Sequence, residues 1–168
     1  MRMIALRVLF AGLLTMALGA CSPSAVPSVT SGEIPVASTA ATIGADPIVA
    51  FREQRDVICR DGSGDIAAIN ARMEGASAED QVTAFGQIVD RLGQAQNALD
   101  GLVVPGAMAE FVAADNERRA ERIRLVEELA AAVAADDEAS VTAIDRELTD
   151  LNIATEAAED AKRLIHCP

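Results

Sequence analysis

The stretch SAEDQVTAFGQIVDRLGQAQNALDGL, residues 77–102, decides the fold. Its first four residues, Ser77-Ala78-Glu79-Asp80, have the form of a capping box, in which a hydroxyl and an acid satisfy N–H groups that a helix start leaves without partners. Phe85, Ile88, Leu92, Ala95, Leu99 and Leu102 then recur at intervals of three and four. That spacing lays one continuous apolar stripe along a helix. Gly101 stands where a left-handed cap would end it.

A stripe of this kind must be covered, and the sequence downstream supplies two more. Pro105-Gly106 opens a third helix with Met108, Phe111, Val112, Ala120, Ile123, Val126, Ala130 and Val133 on its inner side. Asn116 and Arg119 interrupt that stripe: facing inward they need acidic partners from neighbouring helices, whereas rotated outward they need only water. Asp136-Asp137 forms a tight turn whose second acid can cap a last helix, with Val141, Ile144, Leu148, Leu151, Ala158 and Ile165 on its seam. No run alternates at period two for long, so no sheet is predicted. Short connections between long amphipathic helices favour antiparallel neighbours.

Upstream, Asp46-Pro47 gives an N-cap acid followed by proline at the first helical position. Ile48, Phe51, Arg55 and Ile58 follow at helical spacing. Asp61-Gly62-Ser63-Gly64 is predicted to break this helix, because each glycine costs about 1 kcal/mol in a helix interior. Asp65 can cap a short second piece with Ile66, Ile69 and Met73 on one side. The fold class is therefore all-α: an up-down bundle of three long helices plus a broken N-terminal helix, over residues 46–168.

The chain ahead of the bundle is of another kind. Arg2 and Arg7 precede an apolar run from Val8 to Ala20 that is too short and wrongly flanked for a spanning helix, and the run closes on Leu18-Gly19-Ala20-Cys21. Small residues before a cysteine resemble the lipobox of bacterial lipoprotein precursors. The resemblance covers residues 1–21 and implies cleavage of residues 1–20, a diacylglyceryl lipid on Cys21, and display outside the cytoplasm. Attachment would be to the periplasmic face of an outer membrane or the outer leaflet of the cell membrane. Ser22 is not the aspartate that retains such proteins in an inner membrane. From Ser22 to Ala45 the chain is rich in Ser, Thr, Ala, Val and Pro, without a sustained period, and reads as a disordered tether.

With Cys21 committed to lipid, Cys59 and Cys167 remain as an even pair in a compartment where disulfides persist, and they are predicted to bond. Closing a loop of roughly 108 residues is worth about 4 to 5 kcal/mol in loop-closure entropy. Charge narrows the partners. The whole chain stands at −12, and Arg2 and Arg7 leave with the signal, so 12 basic residues face 26 acidic ones and the mature chain carries −14. That balance opposes binding to nucleic acid, which needs clustered Lys and Arg. The absence of Trp and Tyr leaves few aromatic anchors.

The ligand supply for cofactors is thin. His166 is the only histidine, and the chain has neither a Glu-x-x-His pair for a di-iron site nor Cys-x-x-Cys-His for haem. It reads as a solvated helix-end residue; a zinc role would need acids such as Glu159. Asp61, Ser63 and Asp65 sit like the first oxygen ligands of an EF-hand calcium loop, but Ile66 stands where glycine belongs and Arg72 where the bidentate Glu belongs. A plain turn explains the same residues. Glu156, Glu159 and Asp160 fall on one helical face and read as solvated. With no nucleophile elbow or phosphate-cradling loop, the expectation is a non-enzymatic domain acting on an envelope protein partner, with no cofactor beyond the lipid. The alternative is a domain that binds a small ligand or a Ca or Zn ion.

Overall fold

The computed structural model describes residues 46–168; the signal segment, Cys21 and the tether lie outside the described residues. Four helices follow in order: α1 (Pro47–Met73), α2 (Ala78–Asp100), α3 (Ala109–Ala134) and α4 (Glu138–Ala161), with a single 3-10 turn (Gly106–Met108) ahead of α3. α1 packs on α2, α2 on α3 and α3 on α4. Their starts obey local chemistry. Asp46 accepts from the Ile48 N–H at 2.9 Å with Pro47 next to it, Ser77 Oγ accepts from the Asp80 N–H at 3.2 Å, and Asp137 accepts from the Ser140 N–H at 3.1 Å.

The break expected at Gly62 and Gly64 is absent. α1 runs through both glycines as one helix of 27 residues, held down by an inward row of Phe51, Arg55, Cys59, Ile66, Ile69 and Met73. Burial along its whole length outweighs the conformational cost of two glycines. Gly62 has a packing reason: a Cβ there would stand in ordinary contact with Ala95 Cβ at 3.7 Å but only 3.1 Å from Pro168 Cγ, so a larger residue would require Pro168 to give way slightly. Gly64 faces open space.

Cross-helix pairs fix the direction of α2 against α1. Arg72 bonds Gln87, Asp65 meets Arg91, Gly62 faces Ala95, and Cys59 clusters with Leu99, so one number falls as the other rises and the helices are antiparallel. The chain reverses on Gly75 (φ 74°) after α1 and on Asp136 (φ 55°) after α3. Gly101 departs from expectation: its φ of −77° is right-handed, and its N–H caps α2 by bonding the Leu99 carbonyl.

Two further registers differ. On α3, Ala120 is exposed and Ile123 and Ala130 are half-buried, while Asp115, Arg119 and Arg122 face inward with Leu125, Val126, Leu129, Ala132 and Val133. The last helix does not carry its seam to Ile165. It ends at Ala161, Arg163 turns the chain with φ 54°, and residues 162–168 fold back so that Leu164 joins Phe51, Met108 and Phe111 while Ile165 stays exposed. This reversal brings Cys167 to Cys59, and their sulfurs are bonded.

Candidate functional site

At the disulfide end the bundle interior is ionic. Arg55 on α1, Asp115, Arg119 and Arg122 on α3, and Glu159 on α4 are all buried, with Glu159 at 0% exposure and Arg55 and Asp115 at 1%. Arg55 and Asp115 sit where the stripes of their helices call for an apolar residue: Arg55 lies between Phe51 and Cys59, and Asp115 one turn beyond Phe111. Arginine tolerates such places because its stem is apolar and only its head needs partners.

Arg55 is the hub. Its Nη2 pairs with Glu159 and lies 3.5 Å from Asp115 Oδ2, its Nη1 donates to the Ile165 carbonyl at 2.8 Å, and its guanidinium lies 5.7 Å from the Phe111 ring centroid. Asp115 also pairs with Arg119 one turn along α3, and accepts from Arg118 at 3.2 Å. Glu159 takes the Cys167 N–H at 3.1 Å, which ties the ionic layer to the disulfide. Asp56 adds an outer tie, accepting from the Ile165 N–H at 3.4 Å. The C-terminal segment is thus held by Arg55, Glu159, Asp56 and the sulfur bond together.

Electrostatics here are dominated by lost water. Burial pushes the Glu159 carboxyl up from its ordinary value, against the pull of Arg55. Burial also lowers Arg119, against Asp115, and lowers Arg122, against Glu159 and Asp115. Guanidinium keeps its proton regardless, so three buried positive charges face two buried carboxylates. Arg122 is the least compensated. Its one hydrogen bond is a 3.4 Å contact to the Cys167 carbonyl, and among the described residues no carboxylate lies within 4.0 Å of it.

Chemically, the layer holds and orients the segment that follows α4. A general base must be free to take a proton, and both buried carboxylates are engaged by arginine. Asp61, Ser63 and Asp65 do not form the calcium loop their order suggests, because all three lie within α1, where Ser63 points away from the face that Asp61 and Asp65 share. Asp65 faces Arg91 at 3.5 Å instead. The face expected to combine Glu156, Glu159 and Asp160 is divided, since Glu159 is buried and the other two are exposed. His166 Nε2 lies 2.9 Å from Asp160 Oδ1 rather than near Glu159. Among the described residues no three His, Cys, Asp or Glu side chains converge as metal ligands would.

Of the two interrupting residues on α3, Asn116 is half-buried and donates to Asp100 at 3.3 Å, while Arg119 is buried with a partner from its own helix. Arg55, Asp115, Arg122 and Glu159 were not anticipated as a set. For Arg55, Asp115 and Arg122 the signal is positional: each stands three or four residues from apolar members of its stripe, a place where a charged residue implies a partner, whereas Glu159 has no apolar residue at that spacing and gives no such signal. No family model, curated protein or solved structure matches the chain.

Proposed function

We propose that this is a lipid-anchored protein of the bacterial envelope whose helical domain acts without catalysis, through contacts with another envelope protein. The observation that carries it is Leu18-Gly19-Ala20-Cys21 behind Arg2, Arg7 and a short apolar run. The bonded Cys59 and Cys167 suit the oxidising space that such an anchor implies. A non-catalytic role is favoured because both buried carboxylates, Asp115 and Glu159, are already engaged by arginine, and Glu159 by the C-terminal backbone as well.

Anchoring is tested by replacing Cys21 with serine in the native cells and following detergent partitioning. The expected result is release from the membrane fraction; undiminished retention overturns the reading. Crosslinking in those cells, with the captured protein identified and the pair reconstituted, tests the partner. The second reading is small-ligand or metal-ion binding. Asp61, Ser63 and Asp65 lie in a helix, which speaks against a calcium loop there, whereas the surplus of buried arginine favours an anion.

A further inference from the structure

We infer that the arginine layer is a binding site for a small oxyanion, a phosphate or carboxylate group, received by Arg122 beside the Arg119–Asp115 pair, with Arg118 at its solvent side. The inference gives the small-ligand reading a chemistry, and it stands whether or not Cys21 carries lipid.

Charge is the first ground. Arg55, Arg119 and Arg122 are 1%, 7% and 8% exposed, and Asp115 and Glu159 are the only buried carboxylates among the described residues. Arg55 takes Glu159, and Arg119 takes Asp115. Arg122 is left with a neutral carbonyl at 3.4 Å, close to the outer limit of a hydrogen bond. Glu159 and Asp115 attract Arg122 from beyond 4.0 Å, but each is in direct contact with another arginine. An ionised group taken from water with no counter-charge in contact is destabilising, and arginine cannot escape by losing its proton. Glu156 attracts Arg122 but is exposed and beyond 4.0 Å.

Placement is the second. Arg118, Arg119 and Arg122 lie within two turns of one helix, and the Arg118 side chain, 21% exposed, connects the layer to solvent. Guanidinium groups present planar forks of donors that match the oxygens of phosphate and carboxylate. The same chain has a strongly acidic composition, so an arginine surplus inside it opposes the general balance. A surface attracting anions non-specifically would put these charges outside; here they are enclosed.

The test uses the mature chain with Cys21→Ser to keep it free of lipid, melted in inorganic phosphate, in acetate and in chloride at equal ionic strength. Phosphate stabilises many proteins by exclusion from their surface, so the decisive readout is the difference between the parent chain and Arg122→Met. The expected result has three parts: phosphate or acetate raises the parent's Tm by several degrees over chloride, Arg122→Met loses that rise, and Arg122→Met melts no lower than the parent in chloride. Arg124→Met, an exposed arginine of the same helix paired with Glu121 and Glu128, should keep the rise. Calorimetric titration of inorganic phosphate into the parent covers the case in which Arg122→Met fails to fold. Equal melting of the parent in all three salts, a response that survives Arg122→Met, or no heat with phosphate each overturns the site. The anchoring proposal is judged at Cys21 and is untouched by failure here.

Discussion

Where α1 turns into α2 and α3 into α4, the interior is Ile66, Ile69 and Met73 against Phe85, Ile88, Leu92, Leu125, Leu129, Val133, Val141, Ile144 and Leu148. At the other end, α1, α3 and α4 meet over Arg55, Asp115, Arg119, Arg122 and Glu159, with the disulfide and a turned-back C-terminal segment beside them. The first region needs only shape and area, so many sequences could fill it. The second needs each charge matched in position, which makes it sensitive to single substitutions and capable of specificity. One bundle thus joins a tolerant half to an exacting one.

The largest blow to that contrast should come from the sulfur bond. Replacing Cys59 and Cys167 with serine is expected to cost about 4 to 5 kcal/mol by loop-closure entropy. Hydrogen exchange should then rise first around Cys59 and residues 162–168, with amides near Ile69 and Ile88 still protected. Equal loss at both ends would mean that the halves are not distinct.

Next in size, Glu159→Ala should cost about 3 to 5 kcal/mol by stranding Arg55, and Leu125→Ala about 2 to 5 kcal/mol by opening a cavity. What separates them is coupling. Adding Arg55→Met should recover about 1 to 3 kcal/mol of the Glu159→Ala loss, and should be additive with Leu125→Ala. Urea titration of the two double-mutant cycles measures both.

Smallest and opposite in sign is the glycine pair. Gly64→Ala, in open space on α1, should stabilise by about 0.5 to 1 kcal/mol. Gly62→Ala should give less or reverse, because its methyl meets Pro168 at 3.1 Å. Thermal melts of the two variants decide whether the packed end is as exacting as proposed.

The apolar half was legible from its residues alone. Phe85, Ile88, Leu92, Ala95 and Leu99 are all buried as their spacing predicts, as are Val141, Ile144 and Leu148, and the capping residues Asp46, Ser77 and Asp137 all make their bonds. The pairing of Cys59 with Cys167 followed from counting sulfurs. The ionic half was not legible, for a physical reason. A charged residue on a helix stripe is stable only if its partner arrives from elsewhere, and the partners of Arg55 lie on α3 and α4, one of them 104 residues away. Local periodicity carries no record of such a meeting. On α3 it also shifted the inner face toward Ala120 and Ile123, because skipping Asp115, Arg119 and Arg122 leaves only the weaker apolar residues to follow. Gly62 misled in the same way: its conformational cost is local, but its reason is Pro168 at the far end of the chain.

The long reach of Arg55 also bears on the order of events in folding. The hydrophobic end closes around two tight reversals, so its pairs are near neighbours in sequence and can form early, whereas the contacts of Arg55 with Glu159 and Ile165 span 104 and 110 residues. Assembly is therefore expected to proceed from the reversals toward the termini. On that expectation the seven residues after α4 dock last, against helices already paired.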